Sequence, residues 1–152
     1  MPNFEMESIL TSDIEKLSKE LFTMNGVNEE LFPIINMSAP TMWKSKPITD
    51  WPKNRTLFKS RINFLGYIPI DLHRFEFSDT SKYGFKECSS SLMNKRWKHE
   101  RSIIQSGDNV IVRDRVNYES KVGIMGLLLK PVYTSIFKHR HSRLKAKYGK
   151  VS

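Results

Sequence analysis

Apolar residues at Met125, Leu128, Leu129, Val132, Ile136 and Phe137 recur at the i, i+3, i+4 spacing of a helix with one buried face. They belong to a stretch, Val122 to Tyr148, that opens with the uncharged run VGIMGLLL and passes into the basic run KHRHSRLKAKYGK. At about 1.5 Å per residue such a helix is about 40 Å long, enough to cross a whole small domain. Whatever precedes it must be arranged around it. Pro131 lies inside the pattern, where its missing amide hydrogen and its clash with the preceding turn predict a kink.

A chain of 152 residues, 39% apolar and 27% charged, has the size and composition of one soluble globular domain, here expected to span residues 1–152. No run reaches the roughly 18 consecutive apolar residues of a membrane span, and Lys130 with Pro131 interrupts the best candidate. The opening MPNFEMESIL carries two acids and no basic leader, unlike a signal peptide. Cys88 is the single cysteine, which excludes an internal disulfide and a multi-cysteine metal site. Together these features predict a cytoplasmic protein.

The net charge of +9 is unevenly spread. Residues 1–50 hold four Lys or Arg against eight Asp or Glu, whereas residues 51–152 hold 21 against eight. Lys138, Arg140, Arg143, Lys145, Lys147 and Lys150 form an acid-free run that can attract an anionic surface, whether nucleic acid or lipid headgroups. The same cations can instead complement the C-terminal end of a helix dipole.

Phe4, Met6 and Ser8 alternate with Glu5, Glu7 and Ile9, the period of a strand. Ser12 and Glu15 then form a capping-box pattern ahead of Leu17, Leu21 and Phe22, and Asn25 with Gly26 ends that helix. A second short helix is expected over Val27–Leu31, stopped by Phe32 and Pro33. Strands follow over Met37–Lys44, with Pro40 suiting an edge or bulge, and over Thr56–Ile68, with a loop at Ser45–Asn54 between them. Asp71–Ser78 is the next strand, Asp79–Tyr83 a polar turn, Gly84–Ser91 a strand and Leu92–Lys95 a connection. Trp97, His99, Arg101 and Ile103 then alternate up to the turn QSGD, where Gly107 suits a positive φ, and Asn109–Glu119 completes the hairpin. The expected fold is α+β, with about seven antiparallel strands in the order β-α-α-β6-α. One long helix cannot cover both faces of such a sheet, so the sheet must curl around it.

The runs YGFKECSSSLMNKRWKHE, VIVRDRVNYES with GIMG after it, and IFKHRHSRLKAKYG carry a resemblance. They resemble the helix-grip superfamily, also called SRPBCC or START-like proteins, which includes START domains, Bet v allergens and polyketide cyclases or dehydrases. The matching positions are Gly84 and Phe85, Trp97 and His99, Asp114, Arg115, Val116 and Tyr118, then Phe137, Arg140, His141 and Leu144. Where many relatives show a second histidine, this chain has Arg101. The resemblance implies a curved sheet gripping the last helix, with a hydrophobic tunnel between them for a lipid, sterol or polyketide.

Within that frame, Phe58, Ile62, Phe64, Phe75, Phe77, Trp97, Val112 and Val116 on the strands are candidate ligand contacts, although the aromatic ones can equally fill a solid core. Met125, Leu128, Leu129 and Val132 are the candidates on the helix. His73, His99 and Asp114 fall on inward faces and are the candidate catalytic groups, a histidine paired to a carboxylate being able to move a proton. A structural alternative pairs Asp114 with Arg101 across the hairpin and leaves His99 hydrogen-bonded. No short spacing of the HExxH kind joins the histidines, and no phosphate-binding glycine loop is present, so neither a metal nor another cofactor is expected. The reading is a binding or transfer domain for an apolar small molecule or lipid, with His73, His99, Arg101 and Asp114 orienting its polar head. The alternatives are a cyclase or dehydratase acting in the same cavity and an interaction module using the basic helix.

Overall fold

A computed structural model describes residues 1–149. Its elements run β1 (Asn3–Leu10), α1 (Ile14–Leu21), α2 (Met24–Leu31), β2 (Ile35–Met37) and a helical turn α3 (Thr41–Lys44), followed after a 3-10 turn by β3 (Lys59–Phe64). Then come β4 (Ile68–Arg74), β5 (Phe77–Ser81), β6 (Gly84–Ser91), β7 (Asn94–Ser106), β8 (Asn109–Ser120) and α4 (Gly123–Tyr148). The strands form one curled antiparallel sheet in the order β1-β8-β7-β6-β4-β3-β2, with β5 also paired to β6. The architecture is the α+β helix-grip fold.

Eight strands stand where seven are expected, because Asp71–Ser78 is not one strand. The ladder to β6 breaks at Phe75–Glu76, where the Ser89 hydroxyl accepts the Glu76 amide hydrogen in place of a backbone carbonyl. Met37–Lys44 is likewise not a strand: β2 ends at Met37, and Pro40 leads the turn α3, whose Trp43 is buried against Trp51 and Phe58. In the N-terminal region, Asp13 rather than Ser12 caps α1 by accepting the Lys16 amide. Gly26 lies inside α2, whose cap is Thr23. A β-carbon at Gly26 would collide with the Glu20 carbonyl, so close packing of two short helices explains this glycine better than helix termination does.

Helix α4 packs on β1, β8 and α2 and runs unbroken through Pro131. The proline leaves the Leu127 carbonyl without its usual amide partner, and Leu127 is exposed, so water can take that place. The buried face of α4 is not the expected apolar stripe. Gly126, Phe137, Arg140, His141, Leu144 and Tyr148 are buried, whereas Leu128 and Val132 are exposed. The C-terminal half of the helix lies on the core built from Leu10, Leu17, Phe22, Val110 and Val112, and the N-terminal half lies over open space.

Candidate functional site

That space is a cavity of about 370 Å³ enclosed by α2, α4 and the concave faces of β3, β4, β6 and β7. Met24, Val27 and Leu31 of α2, Ile62 of β3, Phe75, Phe77 and Phe85 around β5, and Leu129, Val132 and Ile136 of α4 make most of its wall apolar. Period-two alternation turns every second strand residue inward, which is why His73, Glu87, Trp97 and His99 face the same space.

His73, Glu87 and His99 on this wall belong to one connected network. His73 Nε2 lies 2.5 Å from Glu87 Oε2, and the other Glu87 oxygen is 3.7 Å from His99 Nδ1. His99 Nε2 in turn is 2.7 Å from Asp114 Oδ1. Behind the wall, Asp114 accepts two hydrogen bonds of 2.8 Å from Arg101 and one of 2.7 Å from His141 Nε2, while His141 Nδ1 is 2.6 Å from the Ser8 hydroxyl. The far side of the Arg101 guanidinium grips both Glu30 oxygens at 2.8 Å, and Arg140 adds a bond of 3.2 Å to the same carboxylate while stacking over Phe137.

Burial by itself would raise all three carboxyl pKa values. Arg101 outweighs it at Asp114, holding that group well below its ordinary 3.8, and Arg101 with Arg140 lowers Glu30. His73 and then His99 hold Glu87 at about 2. Arg101, pushed down by burial, is raised instead by Asp114 and Glu30. Three carboxylates against two guanidiniums leave one negative charge in excess, spread over carboxylates that also face His73, His99 and His141.

A second polar spot lies on β7. Asn94 donates to the Tyr133 hydroxyl at 2.9 Å, but its Oδ1 is buried on the cavity wall with no partner among the described residues. Asp71, nearby, is occupied: its Oδ1 accepts the amides of Leu72, Leu92 and Met93.

A family model described as a domain of unknown function, DUF8410, matches residues 8–148. The chain belongs to the DUF8410 family. Comparison with curated proteins finds no match for this DUF8410 chain. Among solved structures it is similar to a protein from Chromobacterium violaceum, at 5% identity and a TM-score of 0.72, with 98% of this chain and 99% of that one covered. It is also similar to a START superfamily protein from Mycobacterium smegmatis, at 10% identity and a TM-score of 0.63, covering 96% of each. A third likeness, at 11% identity and a TM-score of 0.59, is to DynU16 from a dynemicin biosynthetic locus, of whose chain this one covers about half, 49%. At these identities the likeness is one of fold, and the fold of the DUF8410 chain is START-like.

Of the residues singled out in the DUF8410 sequence, the structure brings Ile62, His73, Phe75, Phe77, Trp97, His99, Leu129 and Val132 to the cavity wall. Arg101, Val112, Asp114 and Val116 are buried behind it, and Phe58 packs among Trp43, Trp51 and Phe75. Met125 is half-buried off the wall, and Leu128 is exposed to solvent. Phe64 is exposed and Asn63 buried, beside a register shift at Ile62/Asn63 where Ile70 of β4 is the extra residue. Arg140, expected on an anionic-surface face, is buried on Glu30, and Lys147 pairs with Glu29 at 2.5 Å. Arg143 donates to the Glu29 carbonyl and covers Phe32. Lys138 and Lys145 form no ion pair among the described residues, and Lys150 lies outside them.

Sequence reasoning missed Glu87 and Glu30, and singled out His141 only as a position of the resemblance, without a role. Glu87 shares its strand face with Phe85, a signal that phasing Gly84–Ser91 would have exposed. His141 follows Phe137 by four residues on one helix face, but the surrounding cations disguise it as solvated. Glu30 had no local signal, since its partners are 71 and 110 residues away.

Proposed function

We propose that the chain is a binding domain for a hydrophobic small molecule or lipid, held in the cavity beneath α4 with its polar end directed to His73–Glu87 or Asn94. The observation that carries this reading is a cavity of about 370 Å³, within the range of small-ligand sites, with apolar walls and a few convergent polar groups. The unpartnered Asn94 Oδ1 supports it, since a buried acceptor without a donor is costly unless a ligand hydroxyl or amide, or water, supplies one. Exposed, unpaired Cys88 agrees with a reducing, cytoplasmic setting. No helix among the described residues is long and apolar enough to cross a membrane.

Native mass spectrometry of the purified chain should find an apolar ligand, or a fluorescent fatty-acid probe should bind and be excluded by Ile136→Trp, which fills the cavity from α4. Failure of the folded protein in both assays would sink the reading.

The His73–Glu87 pair supports a second reading, proton transfer to or from a bound polyketide-type substrate. His73 would act on the substrate and Glu87 would hold its ring, because a base needs an oriented, partnered imidazole within reach of the ligand. His73→Gln should then abolish turnover while probe binding survives; loss of both together would assign His73 to binding or structure.

A further inference from the structure

Exposed large apolar side chains concentrate in two patches, one on the β3–β4 hairpin and one on α4. Tyr67, 75% exposed, and Leu65 form the tip of the β3–β4 hairpin, with Phe64, Ile68 and Ile70 also exposed behind them. On α4, Ile124, Leu127 and Leu128 stand at i, i+3 and i+4 on one face, each more than 60% exposed. Ile70 and Val132 are half exposed and line the cavity as well, which joins both patches to its rim. A β-carbon added at Gly66 or Gly123 would meet nothing, so the backbone beside each patch is open. Isolated exposed leucines need no explanation, but a clustered set at an open cavity does.

The cations beside this rim have no carboxylate partners. Lys59, Arg74, Lys95 and Lys121 line one concavity of about 390 Å³ together with Leu72 and Leu92, and no acid contributes to it. Lys59 and Arg74 stand directly opposite each other in register, a like-charge pair that disfavours the sheet unless an anion covers it. None of the four forms an ion pair among the described residues, whereas on the far edge Arg113 and Arg115 pair with Glu5 and Glu7. Leu92 links the two features: it is exposed in the basic concavity, while the next residue, Met93, lines the cavity and accepts the Lys121 amide hydrogen. Helix α4 adds Lys130 and Lys138 and contains no acidic residue.

We propose that this face seats on an anionic lipid bilayer. Tyr67, Leu65, Ile124, Leu127 and Leu128 enter the boundary between acyl chains and headgroups, and Lys59, Arg74, Lys95 and Lys121 take lipid phosphates, so the cavity opens onto the membrane. Projecting apolar tips followed by cations match the layering of a bilayer surface, hydrocarbon first and phosphate next. The seat involves none of Arg140, Arg143 and Lys147, which are occupied within the fold. Docking stands on these surface observations alone; delivery of a ligand through the mouth rests on the cavity being a binding site.

Flotation of the full chain with vesicles of phosphatidylcholine, alone or mixed with phosphatidylglycerol, tests it. The chain should float with the mixed vesicles, less so as salt rises, and weakly with phosphatidylcholine alone. Tyr67→Ser with Leu127→Ser and Leu128→Ser should abolish flotation. Lys59→Gln with Lys95→Gln and Lys121→Gln should weaken binding to the mixed vesicles on the order of a hundredfold, about fivefold per cation. Neither set touches the cavity wall, so a fatty-acid probe measured on the same preparations should bind unchanged, and vesicle binding without probe binding would retain the seat while refuting the ligand. No flotation by the folded chain, or flotation equal in all variants, overturns the proposal. So does a dimer in sedimentation that the serine substitutions disperse, which would assign the face to a second copy.

Discussion

Glu87 on β6 holds His73 on β4 at 2.5 Å across two neighbouring strands, and both side chains are buried on the wall of the cavity. The same carboxylate lies 3.7 Å from His99, so one acidic group connects the cavity surface to the Asp114–Arg101–Glu30 network behind it. The cavity surface and the buried ionic network therefore share atoms at this point.

Glu87 should make the fold sensitive to acid. Its pKa falls on folding from 4.5 to about 2, so its stabilisation is complete above pH 4.5 and is lost as the pH falls from there through about 2. The stability gap between the native chain and Glu87→Gln should be on the order of 3 kcal/mol near neutrality and should close over that window. Urea midpoints at a series of pH values measure it, and a gap that stays constant down to pH 2 contradicts the assignment.

Arg101 is fully buried between two carboxylates. Arg101→Leu leaves Glu30 and Asp114 charged with their main partner gone and should cost about 3–5 kcal/mol. Adding Asp114→Asn should cost less than the sum of the two single changes, because the second removes a charge the first orphaned. Denaturant titration of the four proteins decides it; strict additivity would mean that the pair does not act as a unit.

Gly26→Ala should destabilise although alanine favours a helix by about 1 kcal/mol. The added methyl meets the Glu20 carbonyl, and relieving that clash requires α1 and α2 to separate, at about 1–3 kcal/mol beyond the helix gain. Thermal unfolding should show a lower Tm. A raised Tm would mean the two helices are not in the close contact described.

Asn94→Leu should weaken binding of a long-chain alcohol by about fivefold, one hydrogen bond, and change binding of its methyl ether much less. Competition against a fluorescent probe reports both values. Equal losses for the two ligands would place the polar end elsewhere, with His73–Glu87 the remaining anchor.

What the sequence determined by itself is the part written in local periodicity. Alternation over Phe4–Ser8 and Trp97–Glu119, the strand at Gly84–Ser91, the Gly107 turn and the final helix were legible because neighbours along the chain set them, and with them the curled sheet around one helix. Asp114 with Arg101 was legible as a cross-hairpin pair for the same reason, since the hairpin register puts them opposite. Tertiary structure alone decided where that helix buries its surface. Its oily half lies over a cavity and partly in solvent, while Arg140 and His141 of its charged half are buried, because Glu30 and Asp114 arrive from distant elements to pair with them. It also decided that Phe64 is exposed and Asn63 buried, beside a register shift that no period reveals. A charged side chain reads as a surface residue until its partner is known, and here the partners lie 27 and 110 residues away.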